Sequence, residues 1–126
     1  MQLLYGLDSR GGLPGPGRDL APDLALLPEL DPAARDHATE LVQGVLERRA
    51  GLDRLLDRAS TNWRVERMSR VDRNVLRVAA LELTEHPDVP RAVVLDEAIE
   101  VAKQLGATES GSFVNGVLNR VLALLG

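Results

Sequence analysis

The fold class follows from residues 71–83, VDRNVLRVAALEL. Their apolar side chains recur every three or four positions, which predicts an amphipathic helix. Ser69 lies just upstream and is suited to cap this helix, because its hydroxyl can accept a hydrogen bond from a main-chain N–H of the first turn. Glu82 falls on the apolar stripe, where a carboxylate needs a partner. We therefore expect a structural ion pair there, with an arginine, rather than a catalytic acid.

Helical spacing continues upstream of this segment. Asp31-Pro32 combines a capping side chain with a proline suited to the first turn, and predicts the start of a helix. We expect that helix to run to about Arg49 and to be interrupted at Gly51. A shorter amphipathic stretch should follow and end at Ser60-Thr61-Asn62, whose side chains favour a turn.

Helical spacing also continues downstream. Residues 86–90, HPDVP, end the helix because proline cannot donate a main-chain hydrogen bond. Two more amphipathic faces follow, over residues 94–105 and 113–125, with Gly106 as the stop signal between them. No stretch alternates with the period of a strand. The predicted fold class is therefore all-α, a compact domain of packed helices with short links.

The first thirty residues fit this pattern less well. A helix that starts at Met1 has no capping residue and only about two turns, which makes it marginal by itself. Residues 11–18, GGLPGPGR, predict a flexible loop, since their glycine spacing matches neither a phosphate-binding loop nor a dinucleotide fold. We expect residues 1–126 to form one domain that contains this loop.

Charge is distributed unevenly along the chain. The formal net charge is −4, yet residues 48–77 hold nine arginines against four acidic residues. Residues 1–47 and 78–126 are both acidic. One arginine-dense strip on an acidic chain is suited to hold a phosphate backbone locally while the rest of the surface repels it.

Several functional classes find no support in the composition. The chain has no cysteine and only two histidines, which leaves little material for a metal site or for nucleophilic catalysis. Asp96 and Glu100 share a helix face but have no third ligand nearby in sequence, so we interpret them as solvated. No apolar run approaches the ~20 residues of a membrane span. We expect a cytoplasmic, non-enzymatic protein with no cofactor and no metal.

The order of several short motifs resembles the NusB family of transcription antitermination proteins. The similarity extends from Met1 to about Leu124, and its most specific part is the pair formed by residues 96–103 and 113–118. The motifs are LVxGV (41–45), LD (52–53), Trp63, VDR (71–73), LR (76–77), LEL (81–83), VP (89–90), DEAIEVAK (96–103) and SFVNGVL (112–118).

The resemblance implies two small helical bundles packed together and a non-enzymatic role. That role is to bind single-stranded boxA RNA in ribosomal RNA transcripts together with the ribosomal protein NusE, within an antitermination complex on RNA polymerase. The same fold also serves as the RNA-binding domain of a bacterial rRNA cytosine methyltransferase. The catalytic half of that enzyme is absent here, so we do not expect methyl transfer.

Candidate RNA contacts come from two sources. Three arginines lie near Trp63, and basic residues beside an aromatic residue suit single-stranded RNA. The resemblance adds positions at the two ends of the chain. For Phe113, core packing is the alternative. The predicted RNA-binding residues are Gln2, Tyr5, Arg64, Arg67, Arg70, Glu109, Ser110 and Phe113.

The resemblance also places the ribosomal-protein partner at the helix that begins near residue 70. The predicted partner-binding residues are Asp72, Arg73 and Leu76. For Asp72 the alternative is a favourable interaction with the helix dipole. For Gly116, inside the last helix, we expect close packing, because glycine in a helix interior is about 1 kcal/mol less favourable than alanine.

The chain departs from the family pattern at its start. An arginine-rich stretch that contacts RNA usually precedes the motif matched by Gln2, Leu4 and Tyr5, and it is missing here. We expect a start codon assigned too far downstream, which an intact mass of the native protein tests. The rival interpretation is a helical protein-interaction module, or a homodimer, that has lost RNA binding with those arginines.

Overall fold

A computed structural model describes residues 31–126 of the chain. This part consists of four helices without strands: α1 (Pro32–Ala59), α2 (Arg70–Glu85), α3 (Arg91–Leu105) and α4 (Ser110–Leu125). A short 3-10 turn, Val65–Arg67, lies between α1 and α2. The all-α prediction is confirmed. The predictions for Gln2, for Tyr5 and for the loop at 11–18 lie outside the described residues.

Both predicted N-caps are present. The Asp31 carboxylate accepts a hydrogen bond from the Ala34 N–H at 2.7 Å, and Pro32 follows it in the first turn of α1. The Ser69 hydroxyl accepts one from the Asp72 N–H at 3.1 Å at the start of α2. These caps satisfy N–H groups that have no partner inside their helices, and so fix where each helix begins.

The expected interruption at Gly51 is wrong, because α1 is a single helix of 28 residues that passes through Gly51 and ends at Ala59. Gly51 is exposed, while Leu46, Leu52 and Leu56 on either side of it are buried. A glycine in a helix interior costs about 1 kcal/mol. Burial of a single leucine contributes about 1.5–3 kcal/mol, so packing outweighs the local preference.

Helix α2 is the centre of the domain and packs against α1, α3 and α4. Its side chains Leu76 and Ala80 are 0% exposed. Helix α1 approaches α2 closely at Gly44, where a Cβ would lie 2.8 Å from Leu81 Cδ2. The segment 71–83 therefore supplies the surface on which the rest of the described chain assembles.

A buried ion pair between α1 and α2 involves Arg77 rather than Glu82. The Arg77 guanidinium, in a residue only 3% exposed, donates to both carboxylate oxygens of Asp53 at 2.8 and 3.0 Å. It also donates to Asn74 Oδ1 at 3.0 Å. No arginine pairs with Glu82 among the described residues, so the expected partner of Glu82 is wrong. The bidentate pair joins the last third of α1 to the middle of α2.

Two glycines of the C-terminal half have different environments. Gly106 ends α3 as predicted, and a Cβ there would lie 2.7 Å from the Ala102 carbonyl oxygen and from Ser110 Cβ. The φ of Gly106 is −98°, which any residue can adopt, so the backbone angle does not require glycine here. Glycine is required because the neighbouring atoms leave no space for a Cβ. A Cβ at Gly116 would meet nothing within 4 Å, so the expected close packing at Gly116 is wrong.

Across residues 31–126, none of the helices has the length and hydrophobicity that a membrane crossing requires.

Candidate nucleic-acid interface

A surface groove of about 240 Å³ lies where the turn after α1 meets the first turn of α4. We call it the Trp63 groove. It brings together two parts of the chain that are at least 35 residues apart in sequence, residues 63–72 and 107–113. Its walls are Trp63, Arg67, Met68 and Ser69 from the turn, Asp72 from α2, Ala107 and Glu109 from the turn before α4, and Ser110 and Phe113 from the first turn of α4.

The turn is held in place by two buried side chains and two hydrogen bonds. Val65 and Met68 are buried in the core, at 3% and 6% exposure. The Val65 N–H donates to the Asp57 carboxylate at 2.8 Å. The Trp63 N–H donates to the Ser60 hydroxyl at 3.3 Å. The indole of Trp63 is left 54% exposed, an unusual position for the largest aromatic side chain of the protein.

The start of α4 forms the opposite wall. Ser110 is buried, and its hydroxyl accepts a hydrogen bond from the Ala107 N–H at 3.0 Å, which fixes the turn between α3 and α4. Glu109 stands at the N-cap position without a capping side-chain hydrogen bond. Two of the first-turn N–H groups still have main-chain acceptors: Ser110 N–H donates to the Ala107 carbonyl and Phe113 N–H to the Glu109 carbonyl, both at 3.0 Å. The Glu109 carboxylate makes this helix start negatively charged, which disfavours an anion there.

Phe113 packs against the core, and its contact with RNA stays a prediction. It is half-buried and packs against the hydrophobic core, and it also lines the Trp63 groove. One groove thus contains two aromatic side chains, one on each wall.

The three candidate arginines differ in how far carboxylates already neutralise them. Arg64 is the most engaged, with Asp57 at 3.4 Å and Glu66 at 3.7 Å, although its side chain is 71% exposed. Arg67 and Arg70 are exposed and form no ion pair within residues 31–126. Arg67 lines the groove itself, whereas Arg64 and Arg70 do not line it. Arg67 is therefore the cation best placed to meet a phosphate.

The groove also has an acidic side. Asp72 and Glu109 both line it. The Asp72 Oδ1 atom is buried and accepts no hydrogen bond. A buried carboxylate oxygen without a donor is unfavourable, and because the atom is buried a ligand in the groove does not reach it directly. The groove therefore presents one cation, Arg67, and two carboxylates to a ligand.

The three predicted partner residues do not share one environment. Asp72 faces the groove, and Arg73 is half-buried and donates to the Met68 carbonyl at 3.4 Å. Leu76 is 0% exposed and lies in the core, which leaves it no surface for a partner. The structure thus corrects the predicted role of Leu76: it belongs to the hydrophobic core and stabilises the fold.

Four groove residues were absent from the sequence-based set: Trp63, Met68, Ser69 and Ala107. Trp63 had a signal, because it is the only tryptophan and stands beside the arginines. The others had none, since their places depend on how the turn packs against α4. Residues 31–126 contain no group of three His, Asp or Glu side chains that could hold a metal ion.

Comparison with known proteins identifies the family. A family model described as the NusB family matches residues 15–123. The chain belongs to the NusB family. This confirms the resemblance found in the motifs.

Curated relatives in the NusB family are similar over most of their own length. The chain is 59% identical over 96 residues to the transcription antitermination protein NusB of Sorangium cellulosum, which covers 76% of this chain and 69% of that protein. It is 41% identical over 128 residues to the transcription antitermination protein NusB of Geobacter sulfurreducens, which covers 99% of this chain and 89% of that protein.

Solved structures of the NusB family have the same fold. T. maritima NusB matches with a TM-score of 0.83 at 36% identity, over 97% of this chain and 84% of that one. A complex described as the antitermination factors NusB and NusE with dsRNA matches with a TM-score of 0.82 over 97% of this chain and 89% of that one. Its sequence identity is 24%, so this second likeness shows the fold alone.

Proposed function

We propose that the protein is a transcription antitermination factor that binds single-stranded boxA-type RNA in ribosomal RNA transcripts, jointly with the ribosomal protein NusE. The role is non-enzymatic and cytoplasmic, and residues 1–126 act as a single RNA-binding domain. The NusB membership supports the class of function. We propose that the RNA and its partner bind at the Trp63 groove. The groove supports this because it has an aromatic side chain on each wall, an arginine and an acidic side.

RNA is assigned to the basic side of the groove. A base stacked on the exposed Trp63 would place its phosphate near Arg67, which lines the same groove. Single-stranded RNA fits this arrangement because its bases are free to leave a helix and stack on a side chain.

The protein partner is assigned to the acidic side. The carboxylates of Asp72 and Glu109 line this side and repel a phosphate, whereas a cationic protein surface can neutralise them. A ribosomal protein is basic and carries many N–H donors. A net charge of −4 makes the unaided attraction of RNA modest, so a basic partner bound beside the RNA should raise the affinity of the pair.

Fluorescence anisotropy of a labelled boxA RNA tests the proposal. We expect tighter and sequence-selective binding when the ribosomal protein is present, with a scrambled RNA and a duplex of the same sequence both weaker. Trp63→Leu should weaken binding by at least about fivefold, since stacking of one base contributes about 1–3 kcal/mol. The matched pair Arg67→Ala and Arg91→Ala separates the groove from general charge, because both side chains are exposed and Arg91 lies at the start of α3.

Three results would count against the proposal. Equal affinity for boxA and scrambled RNA in the presence of the partner would show that the protein does not select the RNA sequence. Equal effects of Arg67→Ala and Arg91→Ala would move the RNA away from the groove. Partner binding without any RNA binding would favour the rival interpretation of a protein-interaction module.

A further inference from the structure

A second pocket lies on another side of the domain, between α1, α2 and α3, with a volume of about 150 Å³. We call it the Glu82 pocket. Its walls are mostly aliphatic, with Leu41 from α1, Val78 from α2 and Val101 from α3 among them. Its polar groups are the carboxylates of Glu82 and Glu97 and the imidazole of His37. It shares no lining residue with the Trp63 groove.

The two carboxylates have no arginine or lysine partner among residues 31–126. Neither Glu82 nor Glu97 forms a hydrogen bond or an ion pair through its side chain in residues 31–126, and no described lysine or arginine lines the pocket. Glu97 is exposed, but Glu82 is half-buried among aliphatic side chains. A half-buried carboxylate beside a second carboxylate is a high-energy arrangement in the absence of a counter-charge.

The titration of Glu82 agrees with this geometry. Burial raises the pKa of the Glu82 carboxyl above its ordinary value, and the nearby Glu97 raises it further. The imidazoles of His37 on α1 and His86 after α2 act in the opposite direction. A cation placed between the two carboxylates would remove the repulsion and stabilise both charged forms.

We propose that the Glu82 pocket receives one arginine side chain from a partner protein. The charge complementarity requires a cation, and the aliphatic walls require an apolar stem behind it. Arginine combines the two, and its planar guanidinium has enough N–H donors to serve two carboxylates on neighbouring helices. It is also less strongly hydrated than the lysine ammonium and loses less on leaving water.

The size of the pocket sets the kind of ligand. Sites for drug-sized molecules have volumes of about 300–1,000 Å³. A volume of about 150 Å³ is smaller and suits a single side chain that belongs to a larger surface. The inference goes beyond the proposed function and does not rest on it, since RNA and NusE are assigned to the Trp63 groove.

An NMR titration tests this inference on the full chain. The probe is N-acetyl-arginine N-methylamide, followed by ¹⁵N–¹H spectra at pH 8, well above the pKa of an ordinary imidazole. We expect saturable, millimolar binding, with shifts concentrated at the amides of Val78, Glu82 and Ala98. The citrulline analogue, which has the same shape without the charge, should bind at least about tenfold more weakly. The lysine analogue should fall between the two.

Variants separate the two carboxylates from general negative charge. The double variant Glu82→Gln with Glu97→Gln should bind the arginine probe about tenfold more weakly, or weaker still. Glu97→Gln alone keeps the test valid if the double variant folds poorly, because Glu97 is exposed. Glu100→Gln is the matched control, an exposed acid on the same helix outside the pocket, and should bind as the unmodified chain does.

Equal binding of the arginine and citrulline probes would overturn the inference, because the pocket would then recognise shape alone. Shifts spread over the whole acidic surface, or undiminished binding in Glu97→Gln, would overturn it as well. RNA anisotropy is measured independently of this titration, so failure of either proposal is distinguishable from failure of the other.

Discussion

The glycines at 106 and 116 should respond in opposite directions to the same substitution. Gly116 is inside α4, and an added Cβ would meet nothing within 4 Å. Gly116→Ala gains helix propensity without a clash, so we expect about 0.5–1 kcal/mol of added stability. For a domain of this size that is a rise in Tm of roughly 2–6 °C.

Gly106→Ala should be destabilising. The added Cβ would lie 2.7 Å from the Ala102 carbonyl oxygen, which is main chain and cannot rotate away, and 2.7 Å from Ser110 Cβ. Relief requires a shift of Ser110, which would break its 3.0 Å hydrogen bond with the Ala107 N–H. Overpacking of this kind costs about 1–3 kcal/mol. The two variants should thus differ by roughly 1.5–4 kcal/mol.

Urea unfolding followed by circular dichroism at 222 nm measures both effects as shifts in the midpoint at constant slope. Gly51→Ala calibrates helix propensity, because Gly51 is exposed in α1 and its added Cβ would meet only the end of Arg54, at 3.9 Å. A Gly116→Ala protein less stable than the unmodified chain would refute the open environment of Gly116. A neutral Gly106→Ala would refute the steric account of how α3 ends.

Three other perturbations give defined outcomes. Asp53→Ala leaves the guanidinium of Arg77 buried without its bidentate partner, so urea unfolding should show that the free energy of unfolding falls by about 3 kcal/mol. A decrease below about 1 kcal/mol would contradict a buried pair. Glu82→Gln should stabilise the fold at pH 7, because burial raises the pKa of Glu82 and the unmodified chain loses stability as the pH rises through that raised pKa. The free energies of unfolding of the two proteins should converge near pH 4, and a constant difference across the pH range would exclude this cause. Arg67→Ala should flatten the slope of log binding constant against log salt for boxA RNA by about 0.7. Arg64→Ala should change this slope less, because carboxylates already neutralise that side chain. Equal changes in slope for the two variants would contradict this difference between Arg64 and Arg67.

Local chemistry made the helix starts predictable from the sequence. Asp31 and Ser69 cap helices through atoms within three residues of themselves, so no knowledge of the packing was needed. Gly51 failed as a helix end because buried leucines on both sides of it decide the helix, and their burial is a property of the whole fold. Periodicity alone cannot weigh a local glycine against distant packing.

The candidate interface was only partly predictable for a similar reason. The sequence singled out Arg67 and Phe113 separately, but only the tertiary structure places them in one groove. Asp53 and Arg77 are 24 residues apart, and nothing in the pattern distinguishes this pair from other acid and arginine combinations. Leu76 was assigned to a partner surface because the resemblance places the partner at its helix. Which side chains of that helix are buried depends on the packing of the whole fold.

The turn after α1 has a consequence for the thermodynamics of binding. It has little regular structure, yet Val65 and Met68 anchor it in the core, and the Asp57 carboxylate and the Ser60 hydroxyl bind its N–H groups. Ordering one residue of a flexible arm on binding costs about 1–2 kcal/mol of main-chain entropy. Here that entropy is already lost when the protein folds, so this segment is preorganised. Its contacts can therefore contribute almost fully to affinity, and a ligand should find the same geometry in the free protein as in the complex.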